Sequence, residues 1–252
     1  KHRNKSFPKE LLHLIEEKSA KSRKPIDFKL MPKFYINLER RSDRNKYMIK
    51  YKNTFSYLSN LQRINACDGM SIKNIDDLPN NVTVANNQKI NIINKLSVSG
   101  GMLSYGGLGC AISHKKILDL IIENNYEDTL ILEDDIEIVD NFDTLFSLIE
   151  IPSDYDMFFI GYHSAPNSQN YNSKINKCHR IYGLFGLIIS LQGAKKLVNE
   201  IKVFNPLRYA LDTAYYHNLP SLKMNKYCLK SDKRLIHHMK QNTEENPSDI
   251  II

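Results

Sequence analysis

The chain lacks tryptophan, and it has no apolar run close to the ~20 residues that a membrane-spanning helix requires. We therefore expect no membrane span. Its first residues, Lys1-His2-Arg3, provide neither an initiator methionine nor the apolar core of a signal peptide. We expect the sequence to be trimmed at its start, with any targeting segment lying outside it.

Cysteine is scarce, and the four cysteines form no C-x-x-C pair; they are Cys67, Cys110, Cys178 and Cys228. The wide spacing argues against a zinc site. A chain of 252 residues can bury a substantial core and does not need disulfides for stability. We expect four free thiols and hence a reducing, cytoplasmic-type compartment.

Basic charge is concentrated at the start of the chain. Residues 1–25 carry eight Lys or Arg against three Glu, which leaves only +2 of the total +7 for the other 227 residues. A basic leading segment on a nearly neutral body is typical of a solvated helix or tail, so we expect no nucleic-acid partner. We predict a basic helical extension over residues 1–32 and one domain over residues 33–252, because no repeat or linker-like break interrupts the latter.

The most informative stretch is T-L-I-L-E-D-D-I at residues 129–136. A short unbroken apolar run is typical of a buried central strand, and ligands of open α/β sheets bind at the carboxyl ends of such strands. Here the run ends in Glu133, Asp134 and Asp135, which repel one another unless a cation neutralises them. Mg²⁺ and Mn²⁺ take oxygen ligands, often beside substrate phosphates. The alternative interpretation is a solvated acidic turn.

Strands and helices alternate from residue 34 to residue 201, which predicts an α/β fold with a largely parallel sheet. The predicted strands are 34–38, 61–66, 129–132, 157–162, 183–190, 227–229 and 234–238. The predicted helices are 8–24, 42–57 with Ser42 as N-cap, 111–124, 142–150, 193–201 and 210–217. We expect an irregular insertion over residues 70–104, a Gly-rich loop over residues 105–110, and a further loop over residues 163–181.

Five ordered motifs together resemble glycosyltransferase family 25, which includes bacterial lipooligosaccharide glycosyltransferases and eukaryotic procollagen galactosyltransferases. They are Y-I-N-L with R-S-D-R at 35–44, A-C-D-G at 66–69, G-C-A-I-S-H at 109–114, I-L-E-D-D at 131–135, and G-L-I-I-S with G-A at 186–194. The resemblance implies a GT-A type (Rossmann-like) fold, with a mostly parallel sheet flanked by helices in a single domain. It also implies a bound Mn²⁺ or Mg²⁺ and an inverting transfer of galactose or glucose from a UDP-sugar. The acceptor would be a hydroxyl of a glycan or of a collagen-like hydroxylysine.

The sequence departs from the family pattern at two places. The family usually has Glu where this chain has Gly107, and the stretch Tyr182-Gly183-Leu184-Phe185 lacks the Thr or His often present there. Both departures bear on the acceptor more than on the donor.

The resemblance and the residue chemistry together assign the candidate site. For the metal we predict Glu133, Asp135 and a C-terminal histidine, because such a histidine completes the metal shell in many enzymes of the GT-A type and neutral imidazole is a competent ligand. We name His238, while its neighbour His237 stays open and a surface or core role is the alternative for each. Side chains alternate along a strand, so Asp134 would face away, to bind ribose or to order the strand end. The predicted donor-binding residues are Asn37, Leu38, Arg41, Arg44, Asp68, Ser113, His114 and Asp134.

Inversion needs a carboxylate that takes the acceptor's hydroxyl proton, and we predict that Asp212 is this general base. The alternative role for Asp212 is a helix N-cap, where Asp is favoured. Two other functional classes stay open: a non-catalytic module that binds nucleotide sugars, and a metal-dependent phosphatase-type hydrolase. The hydrolase class requires D-x-D-x-[TV], and Asp135-Ile136-Glu137 lacks its second Asp. The residues leave the acceptor, the donor hexose and the oligomeric state open.

Overall fold

The computed structural model describes residues 25–94, 102–217 and 224–239. Its central sheet is built from β1 Lys33–Asn37, β2 Leu61–Asn65, β3 Asp128–Leu132, β5 Met157–Gly161, β6 Gln169–Asn170, β7 Ile175–Lys177, β8 Gly186–Ser190 and β9 Lys226–Leu229. A separate antiparallel ribbon pairs β4 Ile136–Ile138 with β10 Ile236–His238. The strand order in the sheet is β2-β1-β3-β8-β5-β9-β7-β6.

The sheet is mixed, but most of its strands share one direction. Six of the eight strands run the same way, and only β7 and β8 oppose them. All five residues of β8 are buried, as expected of a strand in the sheet interior that is covered on both faces. The predicted α/β fold, with a mostly parallel sheet between helices, is confirmed.

Helices cover both faces of the sheet: α1 Ser42–Thr54, α2 Asn86–Ile93, α3 Tyr105–Glu123, α4 Phe142–Ser147, α5 Leu191–Lys195 and α6 Leu211–His217. Alternation along β3 sends Ile131 into one apolar cluster and Leu130 and Leu132 into the other. The first cluster packs under α3, α5 and α6, and the second packs under α1 and α4. Within the described residues, no helix has the length and apolarity needed to cross a membrane.

The predicted Gly-rich loop is wrong, because α3 already begins at Tyr105 and Ser104 caps it by accepting the Gly107 N–H. The glycines serve packing there. A Cβ on Gly109 would lie 2.5 Å from the Cys67 carbonyl oxygen, so glycine lets the loop after β2 dock against α3. A helix starting at residue 111 would place Ser113 and His114 in its first turn, but they lie in the third turn of α3.

Other predicted boundaries also shift. Ser42 is the first helical residue of α1, and Arg41 holds the N-cap position without a side-chain cap. The insertion contains α2, whose Gln88 and Asn91 are buried and bond to the Leu103 backbone. The expected loop over residues 163–181 contains the β6–β7 hairpin. The helix predicted at residues 8–24 lies outside the described residues, and the domain boundary at residue 33 stays a prediction.

Candidate active site

An open cleft lies at the carboxyl ends of β1, β2 and β3. Three parallel strands end side by side there, so the residues that follow them meet at one edge of the sheet. The structure brings most of the predicted site residues to this cleft: Leu38, Arg44, Asp68, Ser113, His114, Glu133, Asp134 and Asp135.

Arg44 on α1 and Asn37 on β1 hold the acidic stretch from one side. Asn37 Nδ2 donates to Asp134 Oδ2 at 2.6 Å, and Arg44 Nη1 donates to Asp134 Oδ1 at 3.1 Å and to Asp135 Oδ2 at 3.2 Å. Burial and the neighbouring charge of Asp135 raise the pKa of Asp134 to about 6, although Arg44 and Asn37 oppose the shift. Asp134 is thus fixed against the strand end, one of its two predicted roles.

His238 reaches the acids through the β4–β10 ribbon, in which it pairs with Ile136. Its Nε2 lies 3.4 Å from Asp135 Oδ2, while its Nδ1 lies 2.9 Å from the Met239 carbonyl oxygen. Burial lowers the pKa of His238, but the hydrogen bond and charge of Asp135 outweigh burial and raise it. His237 pairs with Glu137 instead, and alternation along β10 turns its side chain to the opposite side of the ribbon.

Glu133, Asp135 and His238 can together hold a metal ion. One ligand atom from each lies within 4.8 Å of the others. A metal-binding histidine usually bonds through its second ring nitrogen to a carbonyl or carboxylate, which sets its orientation, and Met239 supplies that carbonyl here. The two carboxylates are the ligand type that suits Mn²⁺ and Mg²⁺, and neutral imidazole is a competent third ligand. The donor set therefore fits the predicted cation.

The arginine assignment on the nucleotide side changes. Arg41 folds back onto Asp43 through two hydrogen bonds, and among the described residues the cleft lining includes Arg40 but not Arg41. Arg40 Nε lies 2.9 Å from Asp68 Oδ2, so it joins the loops after β1 and β2. The sequence does not distinguish Arg40 from Arg41, because the direction of each side chain depends on the residue at which α1 begins.

Ser113 and His114 occupy the back of the cleft on α3. The Ser113 hydroxyl donates to the Gly109 carbonyl and accepts the Cys67 N–H, so it ties the loop after β2 to the helix. His114 is buried, and its Nε2 lies 3.4 Å from Glu133 Oε1. Cys110, which we did not predict as a site residue, also lines the cleft one turn before His114.

Asp212 lies on α6 and is not among the described residues that line the cleft. Its carboxylate accepts the Thr213 N–H at 2.6 Å and a hydrogen bond from Tyr182. Burial raises the pKa of Asp212, and the negative charge of Glu133 adds to this shift. The N-cap alternative is wrong, because the Ala214 N–H already bonds to the Ala210 carbonyl and α6 starts before Asp212.

Known proteins with similar sequences include procollagen galactosyltransferase 2 of Homo sapiens, 25% identical over 188 residues, and procollagen galactosyltransferase 1 of Danio rerio, 27% identical over 184 residues. Each match covers 66% of this chain but only 27% and 28% of the respective relative, so the chain spans about a quarter of their length.

One solved structure is described as a glycosyltransferase involved in the glycosylation of the major capsid of PBCV-1. It is 10% identical, with a TM-score of 0.38 over 85% of this chain and 95% of that chain. A similarity this low supports no conclusion about function. The sequence profile of glycosyltransferase family 25 (LPS biosynthesis protein), by contrast, matches residues 31–215, which include the three acids, Cys110, His114 and Asp212. The chain belongs to glycosyltransferase family 25.

Proposed function

We propose that this protein is a metal-dependent, inverting glycosyltransferase that moves a hexose from a UDP-sugar to a hydroxyl group. The carrying observation is the convergence of Glu133, Asp135 and His238 beside a cleft built from the carboxyl ends of three parallel strands. A divalent cation held there supplies positive charge against the negative charge that develops on a leaving diphosphate.

The chain's own residues supply the rest of the donor site. Arg40 and Arg44 place two guanidinium groups in the cleft, and guanidinium groups bind phosphate oxygens well. Arg44 also bonds to Asp134 and Asp135, so its guanidinium group orients these two carboxylates. Asp68, held by Arg40 in the loop after β2, is the residue that we propose accepts hydrogen bonds from the nucleoside.

Asp212 is the proposed general base. The Thr213 N–H and the Tyr182 side chain hold its carboxylate, and its raised pKa makes it a stronger base than a fully solvated Asp. A base becomes more effective as its pKa approaches the working pH. In the reaction, an Asp212 oxygen would take the acceptor's hydroxyl proton as the hydroxyl oxygen attacks the sugar.

The family and the named relatives support a proposal for the substrates. Two of the similar proteins are named procollagen galactosyltransferases, which supports galactose as the hexose and a collagen-like hydroxylysine as the acceptor. The family description names LPS biosynthesis, which supports a glycan acceptor. We propose a galactose or glucose donor and an acceptor from one of these two classes.

UDP binding with and without metal tests the proposal. Calorimetric titration of UDP into the whole chain should show binding in Mn²⁺ that EDTA removes. Asp135→Asn should weaken the Mn²⁺-dependent binding by at least about tenfold. Its fold should survive, because Arg44 keeps Asp134 as a partner.

The matched control is Glu137→Gln, which changes an exposed acid two residues further along the chain. This variant should bind like the unchanged protein. A panel of UDP-sugars, scored by Mn²⁺-dependent hydrolysis without acceptor, then identifies the donor. Unchanged Mn²⁺-dependent binding in Asp135→Asn would contradict the metal assignment.

A further inference from the structure

We propose that the cleft contains a second cation site, formed by Cys110, His114 and Glu133, that takes a borderline-soft divalent ion such as Zn²⁺. The inference goes beyond the transferase function and does not depend on it. It rests on the position of three side chains and on the chemistry of their ligand atoms.

The geometry is set by one helix and one strand. Cys110 and His114 are four residues apart on α3, so they lie on the same helix face one turn apart, a spacing also used by helical zinc sites. Glu133 directly follows β3 and faces them. One ligand atom from each of the three residues lies within 4.8 Å of the others.

The distances are close to those of a tetrahedral zinc centre. Zn–N and Zn–O bonds of about 2.0 to 2.2 Å place neighbouring ligand atoms roughly 3.3 to 3.5 Å apart. His114 Nε2 and Glu133 Oε1 are already 3.4 Å apart. The Cys110 sulfur lies within 4.8 Å of the ligand atoms of the other two residues, so completing a tetrahedral set needs an approach of about 1 Å.

The ligand types distinguish this group from the acids beside it. A thiolate and an imidazole favour Zn²⁺, whereas a carboxylate-rich set favours Mn²⁺ or Mg²⁺. All three side chains line the open cleft, so an ion has a path to them and space for a water in the fourth position. Binding would replace the proton of the Cys110 thiol, which passes to bulk water, and no oxidation or reduction is involved.

The two cation sites share Glu133, which gives the second site a consequence. A Zn²⁺ ion bound to Cys110, His114 and Glu133 removes Glu133 from the set that it forms with Asp135 and His238. Zn²⁺ should therefore weaken Mn²⁺-dependent UDP binding. Removing the thiol should relieve this inhibition.

Co²⁺ titration of the full chain tests the site directly, because thiolate-bound Co²⁺ gives a charge-transfer absorption in the near ultraviolet. The unchanged protein should show this band, and Zn²⁺ should abolish it by displacement. Cys110→Ser should lose the band. The matched control is Cys67→Ser, which removes another cysteine of the same cleft and should keep it.

Two further variants separate the site from folding defects and from the proposed transferase site. Glu133→Gln leaves the helix and both thiols intact and should weaken Co²⁺ binding by about tenfold or more. Asp135→Asn should keep the band, whatever its effect on UDP. Thermal unfolding checks that each variant is folded.

The outcomes are decisive in both directions. The second site is overturned if the unchanged protein shows no band, or if the band persists in Cys110→Ser. It is also overturned if the band is lost in Cys67→Ser, or if Glu133→Gln binds Co²⁺ with unchanged affinity. A failure of Mn²⁺-dependent UDP binding would overturn the transferase proposal and leave the Co²⁺ band unaffected.

Discussion

Replacing Asp212 by asparagine separates catalysis from binding. In the structure, the carboxylate accepts the Thr213 N–H and a hydrogen bond from Tyr182. Asparagine keeps the size of the side chain and one accepting oxygen for Thr213, so α6 should keep its place. It cannot take a proton, so a general base would be lost while its surroundings are preserved.

General-base assistance is typically worth about 10²- to 10⁴-fold, so turnover of Asp212→Asn should fall by roughly this factor. The equivalent barrier increase is roughly 3 to 5 kcal/mol. Affinity for UDP should hardly change, because Asp212 is not among the described residues lining the cleft. Transferase turnover and UDP affinity are measured on the same preparation.

The matched control is Asp154→Asn. Asp154 also accepts a hydrogen bond from a tyrosine hydroxyl, that of Tyr227, but it lies just before β5, away from the cleft. Its substitution should leave turnover unchanged. Near-normal turnover in Asp212→Asn would refute the base assignment, and a joint loss of turnover and UDP binding would make Asp212 a donor-site or structural residue.

The same carboxylate predicts a pH dependence. The base must be ionised, and burial raises the pKa of Asp212 above its usual value of 3.8. Turnover should therefore fall as the pH drops through a midpoint above 3.8, and the pH profile of kcat measures that midpoint. A midpoint at or below 3.8 would contradict the assignment.

Three further predictions concern stability and thiols. Gly109→Ala should destabilise the fold by about 1 to 3 kcal/mol, because its Cβ would lie 2.5 Å from the Cys67 carbonyl oxygen. Gly107→Ala, by contrast, has no contact closer than 3.5 Å and should stabilise α3 by about 0.5 to 1 kcal/mol. Denaturant unfolding of both variants measures the two effects. The pKa of Asp134 rises from 3.8 to about 6, so the native state keeps this proton to higher pH than the unfolded chain. In EDTA, the free energy of unfolding should therefore decrease by up to roughly 3 kcal/mol as the pH rises from about 4 to about 6. Asp134→Asn should lack this decrease. All four cysteines are free in the structure, so thiol titration under denaturing, non-reducing conditions should count four. This count fits the reducing compartment that we propose. A count of zero would indicate an oxidising compartment.

Local patterns predicted much of the fold because they report burial directly. The apolar run before Glu133 became β3, with its acids at the strand end, and the runs at Met157–Gly161 and Gly186–Ser190 also became buried strands. The pattern could not show that β8 runs antiparallel between β3 and β5. A strand covered on both faces is a continuous apolar run, and such a run does not indicate the direction of the strand relative to its neighbours.

Helix starts were harder to predict, because glycine has two opposite meanings. Gly106, Gly107 and Gly109 predict a loop by conformational freedom, yet they lie within α3. The close contact between Gly109 and the Cys67 backbone, which a longer side chain would prevent, explains that glycine. This contact joins residues far apart in the chain, so no local pattern could reveal it.

The sequence by itself determined the α/β class, the acidic strand end, and the residue types that a cation and a nucleotide sugar require, because these depend on local periodicity and side-chain chemistry. Only the tertiary structure decided which neighbours reach the cleft edge: Arg40 is among its described lining residues and Arg41 is not, and His238 meets Asp135 while His237 turns away. The same holds for Cys110 and His114, which meet Glu133 only because α3 packs beside the end of β3. Side-chain direction depends on where each helix begins and how each strand pairs, and long-range packing sets both.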